Sequence, residues 1–182
     1  MSPSVSIDAG SLTLTEFMNE PIDVMRAENS YYWSIEPLTG SAGRATLTAV
    51  GGDAGDFALS TCVPTAVAPT DDWSLLMGAR ADGEDVTLAW SDPIEGARIS
   101  MRMTTGIGTH GGISPVEIEC EGPDTGSLTL PGVYLDALFV DGWSCGECGD
   151  NHLFRYFAKD GEVSSGTVRF QSESEHVFFF HP

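Results

Sequence analysis

Cys145-Gly-Glu-Cys148, with His152 four residues further on, is the group of side chains in this chain best suited to chemistry. Two thiolates at that spacing followed by an imidazole would make three corners of a tetrahedral zinc site, and His110 or Cys120 would supply the fourth. A closed structural zinc site usually shows two such pairs, and this chain has one. Redox chemistry is a second reading. It needs the first cysteine at the start of a helix, where the helix N-terminus lowers the thiol pKa, and Gly149-Asp150-Asn151 ahead of a strand pattern does not supply one. The third reading, structural disulfides, asks only for an oxidising compartment and an even cysteine count, which Cys62, Cys120, Cys145 and Cys148 satisfy. It is the expectation adopted. Pairing Cys145 with Cys148 leaves the two strand cysteines, Cys62 and Cys120, to clamp two domains together. Pairing Cys120 with a loop cysteine would staple the second domain instead.

Other constellations point more weakly to chemistry. His110, His152, His176 and His181 are never three or four residues apart on a helix, and there is no Gly-x-Ser-x-Gly elbow for a nucleophilic serine. Carboxylates are so numerous that no glycosidase pair stands out. Asp53 with Asp56, Asp82 with Glu84 and Asp85, and Asp92 with Glu95 form acidic turns that would offer oxygens to Ca²⁺, but none has the twelve-residue calcium-loop pattern. Solvated turns are the expected reading of all three. No catalytic residue, metal ligand or cofactor is assigned, and Ca²⁺ and Zn²⁺ are the ions such groups would take.

The elements that must position these groups read as strands. Val86, Leu88 and Trp90 alternate with Thr87 and Ala89; Ala97, Ile99, Met101 and Met103 alternate with polar residues; Val116, Ile118 and Cys120 alternate with Glu117, Glu119 and Glu121. A period of two puts one face on a core and the other in water. Leu12-Leu14, Pro21-Met25, Tyr31-Ile35, Ala45-Ala49 and Phe57-Val63 are shorter segments of the same kind, separated by Gly and Asp turns, and Val168 with Phe170 and the run from Val177 to Phe180 read as the last strands. Gly132 to Phe139, after Pro131, is the one helical segment, with Val133, Leu135 and Leu138 able to share a face. Pro64 to Pro69 favours extended backbone. These features predict an all-β chain of two immunoglobulin-like antiparallel β-sandwiches, a small one over 1–69 and a larger one over 70–182, with one short connecting helix in the second.

The 182 residues carry 27 Asp and Glu against 8 Lys and Arg, a formal charge of -19. Such a field repels phosphate backbones, which argues against nucleic-acid partners. The apolar runs all fall short of the roughly 18 residues that spanning a bilayer requires. Met1-Ser2-Pro3-Ser4 has neither the basic nor the apolar region of an export signal. Two loops are candidate binding surfaces, one holding Gly108 and His110 and the other Trp143, Asp150 and His152. The C-terminal run Val177-Phe178-Phe179-Phe180 is apolar on both faces, making Phe178 and Phe180 candidates for a subunit interface.

Val86-Thr-Leu-Ala-Trp90, Val116-Glu-Ile-Glu-Cys120, Asp124-Thr-Gly-Ser-Leu-Thr-Leu-Pro131 and the helix after it resemble a recurring domain of uncharacterised bacterial surface lipoproteins. Gly10-Ser-Leu-Thr-Leu14, Thr46-Leu-Thr-Ala49 and Gly51-Gly52 ahead of Phe57 are similar to the smaller sandwich that precedes it there. The resemblance implies a secreted or surface-displayed protein and transfers no activity. The function expected is a non-catalytic extracellular or cell-surface binding module with a protein or surface-glycan ligand. A subunit of an extracellular assembly, homo-oligomeric through its last strand, is the alternative, and a zinc-binding or hydrolytic protein the third.

Overall fold

The computed structural model describes residues 9–16, 20–26, 32–33, 43–104, 116–141 and 151–178. They are predominantly β, in antiparallel sheets, with two short helices. By contacts the chain forms two compact units, Met1–Pro64 with Phe157–Ser172, and Thr65–Tyr156 with Glu173–Pro182.

In the first unit, β1 (Ser11–Glu16), β2 (Ile22–Arg26), β3 (Tyr32–Trp33), β4 (Gly43–Val50) and β5 (Phe57–Val63) form one sheet in the order β3-β2-β1-β4-β5. Leu14 lies opposite Ile22 on one side and Leu47 on the other. Leu14, Ala45 and Val63 form a small core, with Val24 and Phe170 packed on it. A Cβ at Gly161 would come 2.4 Å from Leu59 Cδ2, so a larger residue there would have to displace the Leu59 side chain.

The second unit contains β6 (Ala68–Pro69), α1 (Trp73–Ala79), β7 (Val86–Ser91), β8 (Arg98–Thr104), β9 (Glu117–Pro123), β10 (Ser127–Leu130) and α2 (Gly132–Asp141). Two long strands, β11 (Asn151–Val163) and β12 (Gly166–Phe178), contribute residues to both units. One sheet runs β10-β7-β6 and the other β12-β11-β8-β9. The alternation read from the sequence is the burial observed: Val86, Leu88 and Trp90 from one sheet and Ile99, Met101, Met103 and Ile118 from the other are buried in one cluster. This is a sandwich-like core, and each large apolar side chain wholly inside it contributes about 1.5–3 kcal/mol.

Three features differ from the sequence expectation. The run from Trp73 to Met77 is a second helix, so among the described residues the unit has two helices and not one. Its start is fixed by Asp72, whose carboxylate accepts from Leu75 N–H at 3.1 Å, and its i, i+4 pair Trp73 and Met77 is buried. In α2, Leu135 and Leu138 are buried but Val133 is 66% exposed. The reason is that two positions separated by one residue lie about 200° apart around a helix. Finally, Val168 with Phe170 and the run from Val177 to Phe180 read as separate strands, but as far as Phe178 they belong to the single strand β12.

Arg155 on β11 ties the second unit together. Its side chain is 1% exposed and its Nε lies 2.8 Å from Oδ2 of Asp124, which is 0% exposed. That contact is ionic, with the N–H not aligned on the oxygen. The other guanidinium nitrogens donate to the carbonyls of Thr65 at 3.2 Å and Asp92 at 3.1 Å. Asp124 in turn accepts from Trp90 Nε1 and from Ile94 N–H, both at 2.8 Å. Removing one partner leaves the other charge buried and unpaired, so Arg155→Met is expected to cost about 3–5 kcal/mol in urea unfolding. The double change Arg155→Met with Asp124→Asn should cost less than the sum of the single changes, which a double-mutant cycle checks.

Candidate functional site

Arg80 follows α1 directly, in extended conformation, and its side chain is 7% exposed. It is ion-paired to Asp136 of α2, lies over the Phe139 ring at 5.1 Å, and donates to the carbonyl of Ala81 at 3.0 Å. Its Nε is buried without a hydrogen-bond partner. Asp136 also accepts from Gly83 N–H at 3.2 Å. These contacts join the end of α1, the turn at 81–84 and the middle of α2 into one constellation.

The start of α2 is held against the same turn. Gly132 N–H donates to Asp85 at 2.8 Å, and a Cβ on Gly132 would come 2.3 Å from the Gly83 carbonyl, so this approach requires glycine. The consequence is a cleft of about 610 Å³ between the two helices. Met77, Phe139 and Val140 give it apolar walls, while Arg80, Asp82 and Asp136 give it a polar end. A concave apolar site of this size with a few convergent polar groups has the form of a ligand site.

The Arg80 guanidinium, and after it the Gly83 N–H, hold the Asp136 carboxyl below its usual range. A carboxylate held below its usual range by an arginine is ionised at neutral pH and is a poor proton donor there.

A second cavity, about 300 Å³, is bordered by Asp71, Asp72, Trp73, His176 and Phe178. Its aromatic walls are packed edge-on against one another, Trp73 at 5.2 Å from His176 and 5.1 Å from Phe178. Burial lowers the His176 pKa. Trp73 is only 2% exposed and offers no face to a ligand.

Among the residues singled out from sequence, His152 is on β11, paired opposite Arg102, bonded to Glu175 and stacked on Phe154 at 5.7 Å. Gly108, His110, Trp143, Cys145, Cys148, Asp150 and Phe180 lie outside the described residues. Phe178 is 6% exposed and packed on Trp73, a core residue and not a surface for a partner. Cys62 and Cys120 are both free thiols. Among the described residues no three His, Cys, Asp or Glu side chains are grouped to hold a metal ion. The acidic turns use their carboxylates locally, Asp56 for Gly51 N–H at 2.8 Å and Glu84 for Ala81 N–H at 2.9 Å.

Sequence reasoning missed Arg80, Asp136 and Phe139. The available signal was Asp72 ahead of Trp73, an N-cap before an i, i+4 apolar pair. No known protein family, curated protein or solved structure matches the chain. Fold and site together define a β-rich protein with a helix-walled cleft.

Two outcomes are expected from this geometry. A carboxylate whose pKa is lower folded than unfolded adds stability that is complete above the unfolded value and disappears as pH falls through the folded one. Asp136→Asn should therefore lower the urea midpoint at pH 7, and its curve should converge with that of the parent as pH is taken through and below the usual carboxylate range. Burial raises the Cys120 thiol pKa, whereas Cys62 is exposed. Iodoacetamide at neutral pH should label Cys62 several-fold faster than Cys120, as peptide mass mapping over time would show.

Proposed function

We propose that this protein is a non-catalytic binding module of the cell exterior, built from two immunoglobulin-like sandwiches, that takes an apolar group into the cleft between α1 and α2. The observation that carries this reading is the cleft itself: apolar walls from Met77, Phe139 and Val140 meet a buried arginine that is ion-paired to Asp136. Arg80 is committed to Asp136 and to backbone carbonyls, which suits a rigid wall better than a reacting group. The antiparallel sheets, with apolar side chains of two of them meeting in one core, support the immunoglobulin-like reading. The exterior location rests on the sequence resemblance to bacterial surface proteins.

Titration with the neutral fluorophore N-phenyl-1-naphthylamine tests the cleft. Saturable enhancement at one dye per chain is expected. Val140 is 80% exposed on the cleft wall, so Val140→Ser should leave the fold intact. Losing about 1 kcal/mol of apolar contact, it should weaken the dye about fivefold. Val50→Ser, at another exposed apolar position in the first unit, should change nothing. Equal effects of the two substitutions, or no saturable signal, would reject the cleft as the site.

A further inference from the structure

Both helices that wall the cleft also carry exposed apolar side chains. On α2, Val133 and Val140 are 66% and 80% exposed, with Asp136 and Ala137 between them. They stand two helical turns apart on one face. Asp136 and Val140 line the cleft, so this stripe forms its rim on that side. On α1, Leu75 is three residues before Gly78, a cleft residue one turn further along the helix, and is 70% exposed. Scattered single apolar residues are ordinary on a protein surface, whereas an apolar rim around a cleft marks an interaction site. A small molecule filling the cleft would leave Leu75 and Val133 uncovered. A segment of a second protein would cover them.

Charge selects the chemistry of that segment. The second unit has no lysine and four arginines. Each arginine is ion-paired, Arg80 with Asp136, Arg98 with Glu121, Arg102 with Glu117 and Arg155 with Asp124. Beside the cleft, Asp82, Glu84 and Asp85 are exposed. Among the described residues, the Glu84 and Asp85 carboxylates accept from backbone N–H groups and meet no cation, so their charge is not neutralised. A second copy of this chain would bring another -19 to the contact and be repelled.

Resting on the cleft reading above, we infer that the α1–α2 face docks a basic amphipathic segment of a partner protein. Its apolar side chains enter the groove, as in helix-in-groove recognition, and its Lys or Arg residues meet Asp82, Glu84 and Asp85.

The probe is a labelled helical peptide of Leu and Lys with leucines at i, i+3, i+4 and i+7. It is compared with a scrambled peptide of the same composition and with a Leu-Glu version, using fluorescence anisotropy on the full chain. The Leu-Lys peptide should bind one per chain, at least tenfold tighter than the scrambled one, and more weakly as salt is raised. The Leu-Glu peptide should not bind. Leu75→Ser with Val140→Ser keeps the net charge and should weaken the Leu-Lys peptide about tenfold, while Asp82→Asn should weaken it at low salt only. Undiminished binding to the double serine variant would reduce the effect to non-specific charge and overturn the inference. Self-association of the protein that the same variant abolishes would also overturn it, by making the occupant a second copy. Failure of the Leu-Lys peptide while the naphthylamine dye still titrates would reject this inference and leave the cleft reading standing; failure of both would reject both.

Discussion

The buried contact between Arg155 and Asp124 is the constraint on which the second unit depends. Arg155 reaches the carbonyls of Thr65 and Asp92, while Asp124 reaches Trp90 and Ile94. A single ion pair therefore fixes four stretches of chain: the entry at 65, the end of β7, the turn before β8 and the turn after β9. Desolvating two charges is expensive, and the expense is tolerable only where the remaining donors and acceptors are satisfied as well. Here the backbone of the turns supplies those partners. Asp92 takes φ 54° in the turn whose carbonyl meets Arg155. That conformation is rare outside glycine.

With the turns fixed, the two helices have little freedom. α1 is held by Trp73, whose indole N–H donates to the Ala89 carbonyl at 3.1 Å and whose ring meets Trp90 at 6.3 Å. α2 is held by Leu135 and Leu138 in the core and by Gly132 against the turn at 83–85. Neither helix is long enough to be stable alone. The cleft between them is thus a by-product of how two short helices are anchored, and this is the rigidity a binding wall requires.

The scarcity of cations shapes the rest of the surface. On the outward face of the second sheet, Arg98 lies between Glu121 and Tyr156, and Arg102 against Glu117. Arg102 holds the Glu117 carboxyl below its usual range, while burial and then the Glu121 carboxylate raise the Tyr156 phenol. β9 is the edge of that sheet among the described strands. Its outward Glu117, Glu119 and Glu121 discourage pairing with another chain. Exposed pairs of this kind add little stability. Their larger effect is to use up the arginines, so the remaining field is negative.

The period-two pattern of β7, β8 and β9 was readable from residue types alone, because sequence neighbours on a strand face opposite environments whatever the strand packs against. β4 and β5 were legible for the same reason, as was α2 from Pro131 and its leucine spacing. The sequence by itself thus determined the class, the alternating core and the charge. Tertiary structure decided everything that depends on residues far apart in the chain. Arg155 looked like a polar position in an ordinary strand until Asp124, from a turn well before it in the chain, was placed beside it. The cleft likewise needed Arg80 and Asp136, 56 residues apart, to meet. Phe178 carried the pattern of an exposed edge and became core because Trp73, on α1, fills the space next to it. Local pattern follows from the backbone's own geometry, whereas a site is made of long-range contacts that no local period encodes.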